Sequence, residues 1–582
     1  MGRGMLAAAL AALIAFALLV GGGTGPVHAQ GLVIKSIQII GRKNLDFDTI
    51  VENLTLKVGD EIRRNTVTVL EENAQRLYET GYFASKPVLD LAPLPDGVML
   101  VIQIEENPPF KEVRLSGNEL VSDEELLSAW DYPPGKVINT KLIEEKLVDF
   151  INQTYRDKGI VSAFVSDVRI GAEGEEEGVI FVSVLEGKLD QIKVEGNDRT
   201  KPRIIRMTMR RVRPDRVIYK RDLLRDLQAL QNTGLFTRVD FNLEPSVRQG
   251  YVNLIVIVEE TRTGQLGFGV GYSTLNGISG TISLRERNWK GEAKDIGGFV
   301  EFSARSPGFS LRYTDPYLSA KNSISVSLFN TEVLNRRNAG SFYESELIVN
   351  SAGGSVILGH RLANDLVGSI GFSFTDFDYD IISGDPFQGL TPARRAQASR
   401  RGTSISLLLR LTKDTRDNIF APMAGSYQSL GINFAGFGGD FQFQKYALEN
   451  RNYFAFGKGT LALRELVGLG TGEVPLFEEF RLGGVNSVRG YQPDEVTGTK
   501  TILLNGEYRF PLGETQFRGA VFVDAGWAGQ SFDEMRNIVG VGVGIRFTIP
   551  ALGLGAIRLD YGIGLTGETK GNRFHFGIGE MF

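Results

Sequence analysis

The stretch GQLGFGVGYS, residues 264–273, sets Leu266, Phe268, Val270 and Tyr272 on one parity, with glycine, glutamine and serine on the other. A period of two is that of a β-strand with one apolar face. The pattern recurs in GISGTISLRERNW (277–289), SISVSLFN (323–330), TSISLLLRLTKDT (403–415), GVGVGIRFTIP (540–550) and GAIRLDYGIGLT (555–566). Polar or glycine turns separate these segments. Residues 263–582 hold 16 candidate strands, and an even number of antiparallel strands with one apolar face is the mark of an outer-membrane barrel. A soluble β-sandwich array is the alternative. It needs two buried inner faces and leaves so many outward aromatics unexplained.

The bulk numbers agree with a barrel. The 582 residues exceed one compact domain, and the net charge of −5 gives no pull toward nucleic acid. The 70 glycines cluster C-terminally among Phe, Tyr and Leu, which fits bends and tight turns in sheets. There is no cysteine, which removes disulfides, thiol catalysis and thiolate metal sites. The mean hydropathy of −0.07 argues against a helical membrane protein but not against a barrel, whose inward positions are polar.

Residues 1–29 read as a secretory signal. Arg3 precedes an apolar run from Leu6 to Val20, and Val27 and Ala29 occupy the −3 and −1 positions before Gln30. That run is shorter than the ~20 residues of a spanning helix. An uncleaved anchor is the alternative.

Between these ends a pattern of about 77 residues repeats three times, over 30–107, 108–187 and 188–262. Each unit opens with an apolar strand that ends at Gly41, Gly117 or Gly196. Two helical segments follow, with Ser122 as a candidate cap, and the second stops at Gly81, Gly159 or Gly234. Two alternating strands close each unit. The βααββ order, with the helix-ending GYF and GLF, resembles the polypeptide-transport-associated (POTRA) domain. Its small sheet has an edge that can accept an extended client through backbone hydrogen bonds. A role as spacer or docking platform is the plainer alternative.

POTRA repeats followed by a 16-stranded barrel resemble the outer-membrane protein assembly factor superfamily, of the BamA or TamA type. The fold class expected is α+β tandem POTRA domains followed by an all-β, 16-stranded antiparallel transmembrane barrel. TRTGQLGFGVGYS is similar to the family's first barrel strand and YTDPYL (313–318) to the end of its fourth. DTRDNIFAPMAGSY resembles a strand pair with its turn. FRLGGVNSVRGY is similar to the family's long inward loop, and FVDAG (522–526) to a strand motif nearby.

An arginine in membrane-strand territory is costly unless it is paired or faces a wet cavity. The resemblance supplies both: it implies that Arg489, in a loop folded into a wet lumen, pairs with Asp524. Glu507, on the intervening strand, is a second acid within reach of a guanidinium fork. Gly490 permits a tight turn and Tyr491 completes the motif. The expected role is a structural clamp, since nothing nearby offers a substrate. A surface charge beside a turn is the plainer reading.

The first strand must then pair with the last, RFHFGIGEMF (573–582). Phe574, Phe576 and Phe582 share one parity, so one face. The seam set is Gly267, Phe268 and Gly269 facing Phe574, Phe576, Gly577, Gly579 and Phe582. Gly579 stands where relatives kink the closing strand, and a shortened seam ladder leaves unsatisfied backbone groups that an incoming strand can restore. The resemblance thus implies a factor that binds unfolded barrel proteins in the periplasm and inserts them through a lateral seam. Its partners are those clients, periplasmic chaperones, accessory lipoproteins and outer-membrane lipid, with no nucleic acid. A TamA-type factor, a two-partner secretion pore and a passive porin are the alternatives. No catalytic residues, metal site or cofactor is expected: HExxH, GxSxG and P-loop patterns do not occur, and GFGVGY lies on a strand with no helix after it.

Overall fold

The computed structural model describes residues 32–582 apart from 63–65, 172–173, 274–276, 304–306, 340–341, 389–390, 516, 548–556, 568–569 and 579–580. The expected signal, 1–29, lies outside the described residues. The chain divides into two compact units. One comprises the residues up to Lys158 with Ala163–Glu186, and the other Gly159–Ser162 with Gly187–Phe582.

The first unit holds two βααββ repeats. In the first, strand Leu32–Ile40 runs parallel to Gly97–Gln103, which pairs antiparallel with Val88–Leu94. In the second, Glu112–Ser116 runs parallel to Val179–Glu186, beside Ala163–Ile170. The Ser122 hydroxyl caps its helix by accepting from Glu125 N. The third repeat opens the second unit with the same order, Lys188–Glu195 parallel to Tyr251–Glu260, and Phe236–Pro245 on the free side.

The three strand-ending glycines share one cause. A Cβ on Gly41, Gly117 or Gly196 would lie 2.1, 2.2 or 2.1 Å from the carbonyl oxygen of Ile104, Val184 or Val258 on the last strand. Two residues beyond each of those carbonyls stands a glutamate that ties down the turn after the glycine. Glu106 accepts from the amides of Lys43, Asn44 and Leu45, Glu186 from Leu120, and Glu260 from Arg199 and Thr200. The helix-ending glycines Gly81, Gly159 and Gly234 have φ of +84°, +74° and +68°, the left-handed stop.

The rest of the second unit is built on an antiparallel sheet that has sixteen strands among the described residues. Its first eight are β1 (Gly264–Ser273), β2 (Gly277–Trp289), β3 (Lys294–Ser303), β4 (Gly308–Asp315), β5 (Asn322–Ala339), β6 (Phe342–Ala363), β7 (Leu366–Ser383) and β8 (Gly402–Asp414). The others are β9 (Gly425–Gly439), β10 (Phe443–Phe456), β11 (Gly459–Gly472), β12 (Lys500–Pro511), β13 (Arg518–Gly529), β14 (Arg536–Phe547), β15 (Ile557–Gly564) and β16 (Asn572–Ile578). Alternate residues face outward and are apolar, as with Val521 and Val523 or Val543 and Ile545, all exposed. Their neighbours Phe522, Asp524 and Arg546 are buried inside. Among the described residues no helix is long and apolar enough to cross a membrane.

The third repeat rests on the turns at one end of this sheet. Lys201 N donates to Gly291 O and its ammonium meets Glu292 at 2.5 Å, both in the β2–β3 turn. Thr208 Oγ1 is 2.7 Å from the Tyr317 hydroxyl, and Arg211 bonds Asp365 in the β6–β7 turn at 2.5 Å.

Candidate functional site

The connection from β11 to β12 runs from 473 to 499 and contains a short hairpin of Phe480–Leu482 with Val496–Gly498. Its tip lies against the inner faces of the last five strands. An apolar cluster of Leu482, Val488, Tyr491, Leu503 and Ile538 seats it.

Three consecutive residues make three kinds of bond. Arg489 reaches Asp524 on β13 through Nε and Nη2, at 2.8 and 3.0 Å, and its backbone N–H donates to the same carboxylate at 3.1 Å. Its Nη1 donates to Glu507 on β12 at 2.5 Å and approaches Asp560 on β15 at 3.5 Å. The guanidinium carbon lies 3.4 Å from the centre of the Phe522 ring, so its face is stacked while its edge is bonded. The Gly490 N–H donates to Nε2 of His575 on β16 at 2.9 Å. That ring nitrogen is therefore unprotonated, and the other carries the hydrogen. The Tyr491 hydroxyl meets the carbonyls of Val539 (2.8 Å) and Thr566 (2.7 Å) and accepts from the amide of Thr566. One tripeptide thus touches β12, β13, β15 and β16, and the ends of β14 and β15.

Glycines make the room. The inward parity of β14 reads Gly540, Gly542, Gly544, Arg546, and that of β15 reads Arg558, Asp560, Gly562, Gly564. A Cβ on Gly540 would stand 1.9 Å from Arg489 O, and one on Gly562 would stand 2.5 Å from Gly490 N. Gly490 itself has φ +96° and its Cβ would meet Gly564 N at 2.8 Å, so both its conformation and its packing exclude a side chain.

The ion network is larger than the sequence indicated. Arg546 bonds Asp560 (2.5 Å) and Glu507 (2.9 Å), and Arg509 bonds Glu507 (2.7 Å). Arg558 donates to Asn486 in the loop at 2.9 Å. Arg489, Arg509, Arg546 and Arg558 and the carboxylates Glu507, Asp524 and Asp560 are each at most 2% exposed. Arg509, Arg546, Arg558, Asp560 and His575 escaped the sequence reading. Their signal was present: each sits on the inward parity, between outward Val521-type neighbours such as Ile545 and Leu559. The expected wet surroundings of Arg489 are corrected too. Its side chain is 0% exposed, because the loop tip and the glycine floor close over it.

The seam residues divide. Gly267, Phe268 and Gly269 lie on β1, with Phe268 73% exposed, and Phe574 and Phe576 face outward on β16 at 85% and 61%. Gly577 faces inward, where a Cβ would be 2.6 Å from the Arg558 guanidinium. Gly579 lies outside the described residues. Phe582 departs from the shared face expected of it. It is 2% exposed and packs inside the barrel with Met581, Tyr453 and Ala462, near Arg509, whose Nη2 donates to its main-chain oxygen at 3.1 Å. Strand β16 ends at Ile578, so parity no longer governs where the last residues point. β1 and β16, which the sequence pairs with each other, are the two end strands of the sheet, and among the described residues no ladder joins them. Among the described residues there is also no acid, histidine and cysteine cluster able to hold a metal.

Comparison with known proteins adds the family. Residues 288–582 match the Omp85 superfamily domain, and residues 108–187 and 188–261 each match the POTRA surface-antigen repeat. The chain is 26% identical to the outer membrane protein assembly factor BamA of Nitratidesulfovibrio vulgaris, over 95% of this chain and 73% of that one. It is 24% identical to the chloroplastic outer envelope protein 80 of Arabidopsis thaliana, over 92% of this chain and 75% of that one. Two solved structures share the fold at a TM-score of 0.51. One is BamA from Haemophilus ducreyi lacking POTRA domains 1–3 (18% identity, 80% of this chain, 99% of that one). The other is CdiB from Escherichia coli (17% identity, 81% of this chain, 89% of that one).

Proposed function

The chain belongs to the Omp85 superfamily, and from that premise we propose that it folds unfolded β-barrel clients into the outer membrane at the seam between β1 and β16. It is a BamA-like outer-membrane protein assembly factor, with its barrel in the outer membrane and its POTRA repeats in the periplasm. The observation that carries the finer reading is the pair of sheet ends. A seam ladder that is shortened in lipid leaves backbone groups that cost several kcal/mol each while unsatisfied, so a client strand that pairs there is favoured. The driving free energy is the client's own folding, with no chemical step. Chaperones and accessory lipoproteins would deliver and support the client. The free edge strands Val88–Leu94, Ala163–Ile170 and Phe236–Pro245 can guide it by strand addition. The loop tripeptide acts as a clamp that holds β12–β16 as one wall while the seam works.

A staple tests this. The chain has no cysteine, so single pairs can be introduced on β1 and β16, starting with Phe268→Cys and Phe576→Cys and moving to facing neighbours. Oxidation should stop client insertion and reduction restore it. A stapled protein that inserts clients at the unstapled rate would sink the seam reading. Depletion separates the exporter alternative: general loss of outer-membrane barrels supports assembly, and loss of one secreted protein supports export.

A further inference from the structure

Phe582 enters the barrel, and what receives it is a built pocket. One inward row reads Tyr453, Ala462, Glu507 from β10 to β12. Ala462 sets a single methyl between two large side chains, and Met581 and Phe582 pack with it and Tyr453 in the hollow this leaves. Phe582 and Tyr453 are each 2% exposed and Ala462 0%. Arg509, two residues beyond Glu507 and so of the same parity, closes one side. Its Nη2 donates to the main-chain oxygen of Phe582 at 3.1 Å, and its guanidinium carbon lies 5.4 Å from the centre of the phenyl ring. Its Nε donates to Glu507 at 2.7 Å, so the wall itself fixes the guanidinium plane, independently of what fills the pocket.

The reach of Phe582 is the second observation. It stands four residues past Ile578, where β16 ends, and four residues span at most ~14 Å. Ala462 on β11 is five strand spacings from β16, roughly 24 Å along the wall. Phe582 therefore arrives across the lumen, and the residue that would continue β16 is held away from the β1 edge. The pocket asks little of its occupant: an aromatic ring and a main-chain oxygen beside it. It lies next to the β10–β11 turn at 457–458. Because the strands alternate in direction, that turn is at the same end of the sheet as the β2–β3 and β6–β7 turns that carry the third repeat, the periplasmic end.

We propose that this pocket docks the aromatic residue at the end of a client strand, and that Phe582 is its resting, autoinhibitory occupant. The inference rests on the assembly reading above. The resting occupant follows a strand of an outer-membrane barrel, which is the class of segment a client presents. A tethered occupant has an effective concentration in the mM range, so a free strand competes poorly with it. A client strand paired along β1 is tethered in turn and competes on equal terms. Exchange in the pocket then releases the end of β16, which couples client pairing to opening of the seam.

The test is photo-cross-linking to the full chain in detergent micelles. The probe is a synthetic peptide of residues 573–582 with p-benzoylphenylalanine in place of Phe582, and cross-linked positions are mapped by mass spectrometry. Phe582→Gly in the chain vacates the pocket. Phe582→Leu, which keeps apolar bulk and drops the ring, is the second variant, and heat-modifiable gel mobility checks folding of each. The expected result is cross-linking to the segments holding Tyr453 and Ala462, at least tenfold more in Phe582→Gly than in wild type and intermediate in Phe582→Leu. Unlabelled peptide should compete, and the same peptide carrying Phe582→Ala should not. Ala462→Leu added to Phe582→Gly fills the hollow and should remove these cross-links. Equal cross-linking of β10 and β11 in wild type and variants, or none, overturns the pocket. Cross-links confined to β1 overturn the pocket and leave the seam standing, whereas cross-links at Tyr453 and Ala462 with none at β1 support the pocket and count against the seam.

Discussion

Removing the Arg489 side chain, as in Arg489→Met, leaves its carboxylate partners unequally exposed to the loss. Glu507 keeps Arg509 at 2.7 Å and Arg546 at 2.9 Å. Asp560 keeps Arg546 at 2.5 Å. Asp524 keeps the Asn505 amide at 2.8 Å and the backbone N–H of residue 489 at 3.1 Å, but loses both guanidinium bonds. The cost therefore concentrates on Asp524, and breaking a buried pair by removing one partner costs about 3–5 kcal/mol. Urea unfolding of the vesicle-inserted barrel should show a loss of that size. A double-mutant cycle then locates it. Asp524→Asn on top of Arg489→Met should add little, giving a coupling of about 2–3 kcal/mol, while Glu507→Gln on the same background should couple more weakly. The exchange Arg489→Glu with Asp524→Arg should recover part of what Arg489→Glu alone loses. A single-variant loss under about 1 kcal/mol, or stronger coupling to Glu507 than to Asp524, would refute the assignment of the clamp.

Three further outcomes follow from the same geometry. His575→Leu strands the Gly490 N–H and should cost about 1–3 kcal/mol, whereas His575→Gln, which offers an amide oxygen, should recover most of it; the Gly490 amide's hydrogen exchange reads both. Gly562→Ala puts a carbon where the loop backbone lies, so the loop should lift and become cleavable by protease near Arg489, while Val543→Ala on the outward face should leave it resistant. Hydrogen bonds from Lys201 first, and then Lys294, pull the Glu292 carboxyl from 4.5 down to about 2. A lowered folded value means the contact contributes fully above 4.5 and is lost as pH falls through about 2. Fluorescence of Trp289, with Trp130 and Trp527 replaced by Phe, should report that acid loosening, and Glu292→Gln should flatten it.

The sheet was legible because its information is local. A period of two needs only neighbouring residues, and Leu266 and Phe268 reveal the outward face of β1 before any partner is known. The repeats were legible for a related reason: Gly41, Gly117 and Gly196 recur at nearly one spacing. What made those glycines necessary, a carbonyl of the last strand some 60 residues on, was not legible, nor were the glutamates 106, 186 and 260 that bind the following turns. The same limit applies at the loop. Arg489, Asp524 and Glu507 stood out because of motif resemblance, and the structure brings the three side chains into contact. Arg546, Asp560 and His575 are inward residues on strands whose register with the loop depends on turn lengths far away in sequence. Phe582 leaves the face its parity implies because the strand that gives parity its meaning ends at Ile578.

The tripeptide suggests how a barrel can keep a weak seam without losing its wall. Each strand–strand ladder is cooperative, so an edge that opens tends to unzip toward its neighbour. A staple on the inner face counters this by linking strands that are not adjacent. Arg489 joins β12 and β13 to β15 through carboxylates, Gly490 reaches β16 through a single neutral hydrogen bond, and Tyr491 caps the point where β14 and β15 part. The bonds weaken in that order toward the seam, from charge-assisted pairs to one amide–imidazole contact. On the proposed reading, β16 around His575 can therefore move while β12–β15 stay fixed, because the last tripeptide link is worth about 1 kcal/mol and the first several, with Phe582, held by Arg509 of β12, as the anchor beyond the strand's end. His575 then sets how far opening spreads. A barrel carrying His575→Leu should open at β16 with its β12–β15 amides still protected, whereas one carrying Arg489→Met should lose protection along β13 as well. Equal loss of protection across all five strands in both variants would mean the wall opens as one body, and the graded staple would fall.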